Sequence, residues 1–160
     1  LFRGTPLLVQ IIWFYYAFPV VIGVNIPAHV AAVTVLSLYC GAFYAEIVRG
    51  SIESVPRGQW DAARALGLRP WRMMRLVILP QALKPMLAPY VNQSVTQLKN
   101  TSLVSVIAVP DLVYNATLIN ADTYRPLEVY TIIALIYFAI LFPATLLGRR
   151  FERGMTYDKA

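Results

Sequence analysis

Apolar residues dominate the chain from Leu7 to Val24 and again from Ala28 to Val48, with Asn25-Ile26-Pro27 as the only polar break between the two runs. A hydrocarbon core about 30 Å thick needs roughly 20 mainly apolar residues wound as a helix, so each run predicts a membrane-crossing helix. The break between them predicts a tight hairpin. Val129 to Gly148 predicts a further span. The stretch from Pro85 to Val109 is also long enough to cross, but it carries Asn92, Gln93, Ser94, Thr96, Gln97, Lys99, Asn100, Thr101 and Ser102. As a span it must be shielded from lipid, because polar side chains are tolerated at depth only against protein or water. In the second run Ser37, Gly41 and Ala45 recur every fourth residue, a spacing that lets a neighbouring helix approach closely.

The pattern changes between Arg49 and Lys84. This segment is too long for an ordinary connection and has helix signals of its own, which marks it as a structured element. Ser54-Val55-Pro56 offers a cap and a first-turn proline, Gln59 to Leu66 is an alanine-rich helical run, and Gly67 supplies a left-handed stop. A second helical piece is expected near Pro70, with Trp71, Met74 and Ile78 on one face and Arg69, Arg72 and Arg75 elsewhere. That arrangement suits the membrane surface, and Pro80 is expected to end it.

Charge fixes an expected orientation, since short loops rich in Lys and Arg stay in the cytoplasm. Arg49, Arg57, Arg64, Arg69, Arg72, Arg75 and Lys84 stand against Glu53 and Asp61, which places this segment inside. The tail is placed inside too, by Arg149, Arg150, Arg153 and Lys159 against Glu152 and Asp158. Two inner segments require an even number of crossings between them, so the polar stretch must cross as well. Pro110 to Glu128 then lies outside, and residues 1–160 form a single all-α transmembrane domain of four spans, about 7–24, 28–48, 85–109 and 129–148.

Composition supports a bilayer as solvent: of 160 residues, 58% are hydrophobic and 14% charged. The net charge of +6 is gathered at the ends of apolar runs and not over one polar surface, which argues against nucleic acid as a partner. Cys40 is the sole cysteine and reads as a small buried side chain. The lone His29 reads as an interfacial residue, and the aromatics Trp13, Tyr15, Tyr16, Tyr124, Tyr130 and Tyr137 as membrane anchors. The chain opens on Leu1-Phe2-Arg3 without a cleavable leader and reads as the continuation of a longer sequence.

Within the charged segment, Asp61-Ala62-Ala63, Gly67, Val77 and Leu79-Pro80 resemble, in register, the EAA loop of permease subunits of binding-protein-dependent ABC importers. Asp61 replaces glutamate and Val77 replaces isoleucine, both conservatively. Residues Arg3 to Gln10, Ala45 to Trp60 and Leu98 to Val106 are similar to the branch importing polar amino acids of the histidine, glutamine and arginine type, so the resemblance covers nearly the whole chain. It implies an integral membrane helical bundle in a bacterial inner membrane, with one further span ahead of Arg3 and a cytoplasmic C-terminus. It also implies ATPase subunits that bind ATP and Mg, a second permease subunit, and a periplasmic or lipid-anchored substrate-binding protein. The loop residues Trp60, Asp61, Ala62, Ala63, Arg64, Leu66, Gly67, Leu79 and Pro80 would couple to the ATPase. There Trp60 and Leu66 would serve as anchors, with Asp61 and Arg64 as rim charges.

Along the polar span Asn92, Thr96 and Lys99 share one helical face, and Gln93, Gln97 and Asn100 the adjacent one. These are the candidates to meet the ammonium and carboxylate of a passing amino acid; the competing reading is hydrogen bonding between helices. Relatives often carry aspartate at position 100, so Asn100 departs from the pattern. Glu46, a further candidate, lies three residues before Arg49 and is expected to pair with it. No glycine is followed by lysine, so a phosphate-cradling loop is absent, and a single histidine leaves no Ser-His-Asp set and no paired metal ligands. The chain is thus expected to hold no catalytic residue, metal or cofactor. The alternatives are an ion-coupled carrier or channel, which predicts inverted repeats and deep charged residues on interrupted helices, and an integral membrane enzyme.

Overall fold

The computed structural model describes residues 4–156, and the side chains of 4–146. Helix α1 (Leu7–Ile22) starts directly after Pro6. Its entry is held by Gln10, whose Nε2 donates to Thr5 Oγ1 at 2.7 Å and to the Thr5 carbonyl at 3.1 Å. Gly23 in the left-handed region (φ 68°) closes α1, and α2 (Ala28–Glu53) follows Pro27. Then come α3 (Arg57–Ala65), α4 (Pro70–Ile107), α5 (Leu112–Thr123) and α6 (Pro126–Thr156). Among the described residues there is no strand, as expected for an all-α bundle.

Prolines inside helices remove a hydrogen bond and push against the carbonyl four residues back. At two of its prolines the chain meets this in the same way, while Pro85, Pro89 and Pro143 lie within regular α-helix. Trp13–Ala17 forms a π turn in which the Phe18 N–H reaches back to the Trp13 carbonyl, and Pro19 follows. Met74–Ile78 forms another, closed by Leu79 N–H on the Met74 carbonyl, and Pro80 follows. The widened turn relieves the proline, and the helix continues. Pro80 therefore does not end the helix as expected: α4 runs on as regular α-helix over Leu79–Asn100 and tightens to 3₁₀ over Thr101–Ile107.

Among the described residues two helices are long and apolar enough to cross a bilayer, Ala28–Glu53 and Pro126–Leu146; α4 and α5, bent by 48°, meet the same test only together, and α1 is a shorter apolar helix. The chain is a multi-pass membrane protein. The helix bearing the polar stretch begins at Pro70, not Pro85, and the segment expected outside contains α5. Arg3 and the charged side chains of the tail, Arg149, Arg150, Glu152, Arg153, Asp158 and Lys159, lie outside the described residues.

Contacts divide the chain into two units, Leu1–Ala42 with Ser94–Thr145 and Phe43–Gln93 with Leu146–Ala160. The first has a core of Leu7 and Ile11 from α1, Ala31, Ala32 and Val35 from α2, and Val104 and Ile107 from α4. Paired small residues at 31 and 32 let the helices approach closely. Gln97 Nε2 adds a bond to the Leu36 carbonyl at 3.3 Å, tying α4 to α2. In the same unit none of α6 up to Leu146 is buried, and Leu127, Ile132, Leu135, Phe138 and Ile140 stand exposed for lipid or another subunit. Ser37 and Gly41, expected to seat a neighbouring helix, are exposed too.

The second unit has its own core, Val55, Ala63, Met73, Ile78 and Ala82, with Ile52, Trp60, Leu68, Met74 and Val77 against it. Here α2 and α4 are bridged by stacked Tyr44 and Tyr90, with ring centroids 4.5 Å apart. Ser54 does not cap α3: its hydroxyl donates to the Ser51 carbonyl at 2.7 Å, and Pro56 occupies the cap position itself. Ile78 is fully enclosed in this core. Ile78→Ala is expected to destabilise the α3 segment by about 2–4 kcal/mol, read as faster amide exchange over residues 57–78.

Candidate functional site

Helix α3 ends in a Schellman motif. Gly67 N–H bonds the Arg64 carbonyl at 2.9 Å and Leu68 N–H the Ala63 carbonyl at 3.2 Å, with Gly67 at φ 67° as the sequence predicts. Leu68 turns back onto the core that holds Ala63. The two alanines of the motif separate: Ala63 is buried (2% exposed), while Ala62 faces out. A larger residue at 63 would push α3 off the stem of α4, Pro70–Ile78, on which it packs. Gln59 and Gln81 add a hydrogen bond of 3.1 Å between α3 and α4.

The outward surface of α3 is formed by Asp61, Ala62, Ala65 and Leu66, with Leu66 78% exposed. Asp61 and Arg64, the expected rim charges, pair with each other at 3.2 Å and are both exposed, so the pair contributes little to stability. Trp60 is half-buried against the segment's own core, which leaves Leu66 as the exposed large apolar side chain of this surface. Leu79 and Pro80 sit where the stem joins the long helix. Glu46 is held by Arg49, which also binds Glu53 at 2.7 Å, as expected for a local pair.

The stem departs from its expected phase. Met73 and Ile78 are buried with Met74 and Val77 beside them, whereas Trp71, Arg72, Arg75 and Leu76 are exposed. Trp71 therefore does not share a face with Met74 and Ile78, and Arg72 and Arg75 lie beside it. The π turn, which inserts about one residue into the helix, shifts the pattern.

On α4 the two polar faces divide as well. Asn92, Thr96 and Lys99 are exposed, while Gln93, Gln97 and Asn100 are half-buried, Gln97 being committed to the Leu36 carbonyl. One residue escaped the sequence reading. Asp111 caps α5, its Oδ1 accepting from the Tyr114 N–H at 2.7 Å, while its Oδ2 is enclosed without a hydrogen-bond partner. It lines a cavity of about 220 Å³ with Thr101 and Tyr137, among Leu98, Leu112, Ile140 and Leu141. A carboxylate oxygen so placed can accept from a cationic group. The only signal in sequence was an acid at a helix start, which alone reads as a cap. Among the described residues no group of His, Cys, Asp and Glu could hold a metal.

The model for the family of binding-protein-dependent transport system inner membrane components matches residues 1–157. The chain is 40% identical over 154 residues to the glutamine transport system permease protein GlnP of Escherichia coli (strain K12), covering 96% of this chain and 70% of that one. It is 38% identical to the arginine transport system permease protein ArtQ of Bacillus subtilis (strain 168), with the same coverage. The structure superposes with a TM-score of 0.87 and 43% identity on a chain of the crystal structure of an amino acid ABC transporter with histidines, over 95% of this chain and 71% of that one.

At Gly67 an added Cβ would meet nothing within 4 Å, so a side chain there is not blocked by neighbours; the backbone carries the constraint. Gly67→Ala is expected to cost about 1 kcal/mol, and Gly67→Asn less, because asparagine tolerates the left-handed region. Amide exchange across Arg57–Leu68 measures the order of the two variants.

Proposed function

Because the chain belongs to the family of binding-protein-dependent transport system inner membrane components, we propose that it is the permease subunit of an ATP-binding cassette importer that moves polar L-amino acids across the bacterial inner membrane. It works as one of a pair of permease subunits, equal or homologous, around a shared path. A periplasmic or lipid-anchored binding protein delivers the substrate, and partner ATPases bind ATP and Mg. This chain contributes no catalytic group of its own. Its tail and the α3 segment face the cytoplasm, and four spans cross the membrane.

The observation that carries the reading is mechanical. Helix α3 offers Asp61, Ala62, Ala65 and Leu66 outward, and through Ala63 it packs on the stem of a helix that continues unbroken into Leu79–Asn100. An ATPase that grips α3 and closes on ATP thus displaces a spanning helix directly. Alternating access follows if the two arrangements of the spans differ in affinity for the substrate. Support for an amino acid as cargo comes from the glutamine and arginine permeases among the relatives and from the amino acid transporter it superposes on.

The path residues are read from α4 and α5. Asn92, Thr96 and Lys99 form the exposed polar face, with Lys99 as the cation for a substrate carboxylate. The unpartnered Asp111 oxygen is the anion for an ammonium. Gln93, Gln97 and Asn100 serve the packing between helices, and Glu46 is occupied by Arg49.

Proteoliposomes holding the full-length permease with its ATPase and binding protein test both halves of the proposal. Leu66→Asp is expected to lower ATP-driven uptake of glutamine, histidine or arginine by about tenfold or more while the subunit stays inserted. Uptake at the unaltered rate from a preparation without the ATPase would overturn the reading. Asp111→Asn keeps an oxygen to cap α5 but removes the charge. It is expected to raise the substrate concentration for half-maximal uptake by about tenfold, a 1.4 kcal/mol effect, and no change would remove Asp111 from the path.

A further inference from the structure

Pro85 and Pro89 stand four residues apart within regular α-helix, without a widened turn directly ahead of either. Proline has no N–H, so in an α-helix the carbonyl four residues earlier loses its donor. Here those carbonyls belong to Gln81 and Pro85. Each points along the axis toward the proline that fails to close its turn. Gln81, Pro85, Pro89 and Asn92 are all exposed, and at about 100° per residue they fall within an arc of about 80° on one side of α4. The two oxygens thus open on the Asn92 face, about 6 Å apart along the helix. Leu83 and Leu87, 49% and 43% exposed, lie on the opposite side and are the side chains suited to lipid. A carbonyl without a donor is costly against hydrocarbon, so the proline side calls for water, a ligand or a second subunit. Pro143 frees the Ala139 carbonyl of α6 in the same way, but that one stands alone among Leu135, Phe138, Ile140 and Phe142.

We infer that the Gln81 and Pro85 carbonyls form a holding position for the ammonium of a substrate, on the α3 side of Asn92. The inference rests on the reading that the Asn92 face lines the path of a polar amino acid, and it extends that path by two acceptors that no side chain supplies. No Asp or Glu occurs between Ala62 and Pro110, so a cation passing this stretch of α4 meets only neutral oxygens on it. Backbone carbonyls accept without donating, and a bond from an ammonium to one of them is strengthened by the charge. Such oxygens coordinate cations wherever a spanning helix leaves them unclosed. Being neutral, they hold an ammonium less tightly than the Asp111 carboxylate does, which suits a position that must release its occupant. The Gln81 side chain is engaged elsewhere, its Nε2 donating to Gln59 Oε1 at 3.1 Å. The position therefore lies in the backbone and reads the ammonium that all amino acids share, not the side chain that distinguishes them.

Each carbonyl can be observed by itself. In this sequence Pro-Met occurs once, at Pro85-Met86, and Gln-Ala once, at Gln81-Ala82. A ¹³C-carbonyl label on the first residue paired with a ¹⁵N label on the second selects each carbonyl in solid-state NMR, and loss of the signal in Met86→Leu or Ala82→Gly identifies it. The full-length permease is held in proteoliposomes with its ATPase, binding protein and ATP, and glutamine, histidine and arginine are added in turn. The amino acid that is taken up is expected to move both signals downfield, and its α-keto acid, which lacks the ammonium, to leave them in place. Pro85→Ala restores the donor to the Gln81 carbonyl and Pro89→Ala to the Pro85 carbonyl. In each variant the closed carbonyl is expected to lie downfield from the start, and maximal uptake to fall about tenfold. Pro85→Gly and Pro89→Gly supply the same N–H on a supple backbone and are expected to lose as much. Uptake retained by the glycine variants alone assigns the prolines to bending and overturns the proposal. Signals that the substrate does not move overturn it too, as do signals already as far downfield as in the alanine variants, which place a donor of the chain or of a second subunit on these oxygens. A complex that takes up none of the three amino acids overturns the reading beneath the proposal, and the position with it.

Discussion

A backbone in hydrocarbon must satisfy its own hydrogen bonds, and a proline in a spanning helix takes one away. Several helices of this chain contain prolines. Two of these residues, Pro19 and Pro80, are each preceded by a five-residue π turn separated from the proline by a single residue, while Pro85, Pro89 and Pro143 lie within regular α-helix. The continuity so preserved at Pro80 joins α3 and its stem to Leu79–Asn100. Were Pro80 a true break, α3 and its stem would be joined to Leu79–Asn100 only through a bend. With the helix intact, the small core around Ala63 and Ile78 extends through Ala82 onto the helix beyond Pro80.

The same helix assigns its sides to different surroundings. Near its middle Gln97 turns inward to the Leu36 carbonyl, while Asn92, Thr96 and Lys99 turn away. Side chains this polar are costly against lipid, so the outward side calls for water or a second subunit. Helix α6 is the contrast, apolar and unburied up to Leu146, in keeping with lipid contact. The ion pairs that decorate the chain, Asp61 with Arg64 and Arg125 with Glu128, are exposed and add little to stability. Order here comes from apolar packing and closed backbone bonds.

Much of this was legible in the residues. The apolar runs located α1, α2 and α6, and the spacing from Asp61 to Pro80 identified the loop and its family. Gly67 announced a left-handed stop because few other residues take that conformation without strain. What escaped has one main physical source. A proline that terminates a helix and a proline that a widened turn carries through look alike in sequence, so Pro80 was read as an end. The residue inserted by that turn also rotated Trp71 away from Ile78, which a fixed period of 3.6 cannot anticipate. That Trp60 packs half-buried against the segment's own core was not legible, because burial in so small a core depends on tertiary contacts. Asp111 was passed over because a cap uses one carboxylate oxygen, and only three dimensions reveal the state of the other.

A π turn is, in effect, an α-helix that has accepted one additional residue. At Met74–Ile78 the insertion and the proline downstream compensate each other, so in descent they should be gained and lost together. A lineage that drops Pro80 can shed one residue from the stem and restore plain α-helical winding, whereas losing the residue alone would rotate α3 by about a quarter turn against Leu79–Asn100. Variation in length at this point, which would otherwise look like alignment noise, then becomes a record of how α3 has been turned about the axis of the helix that follows it.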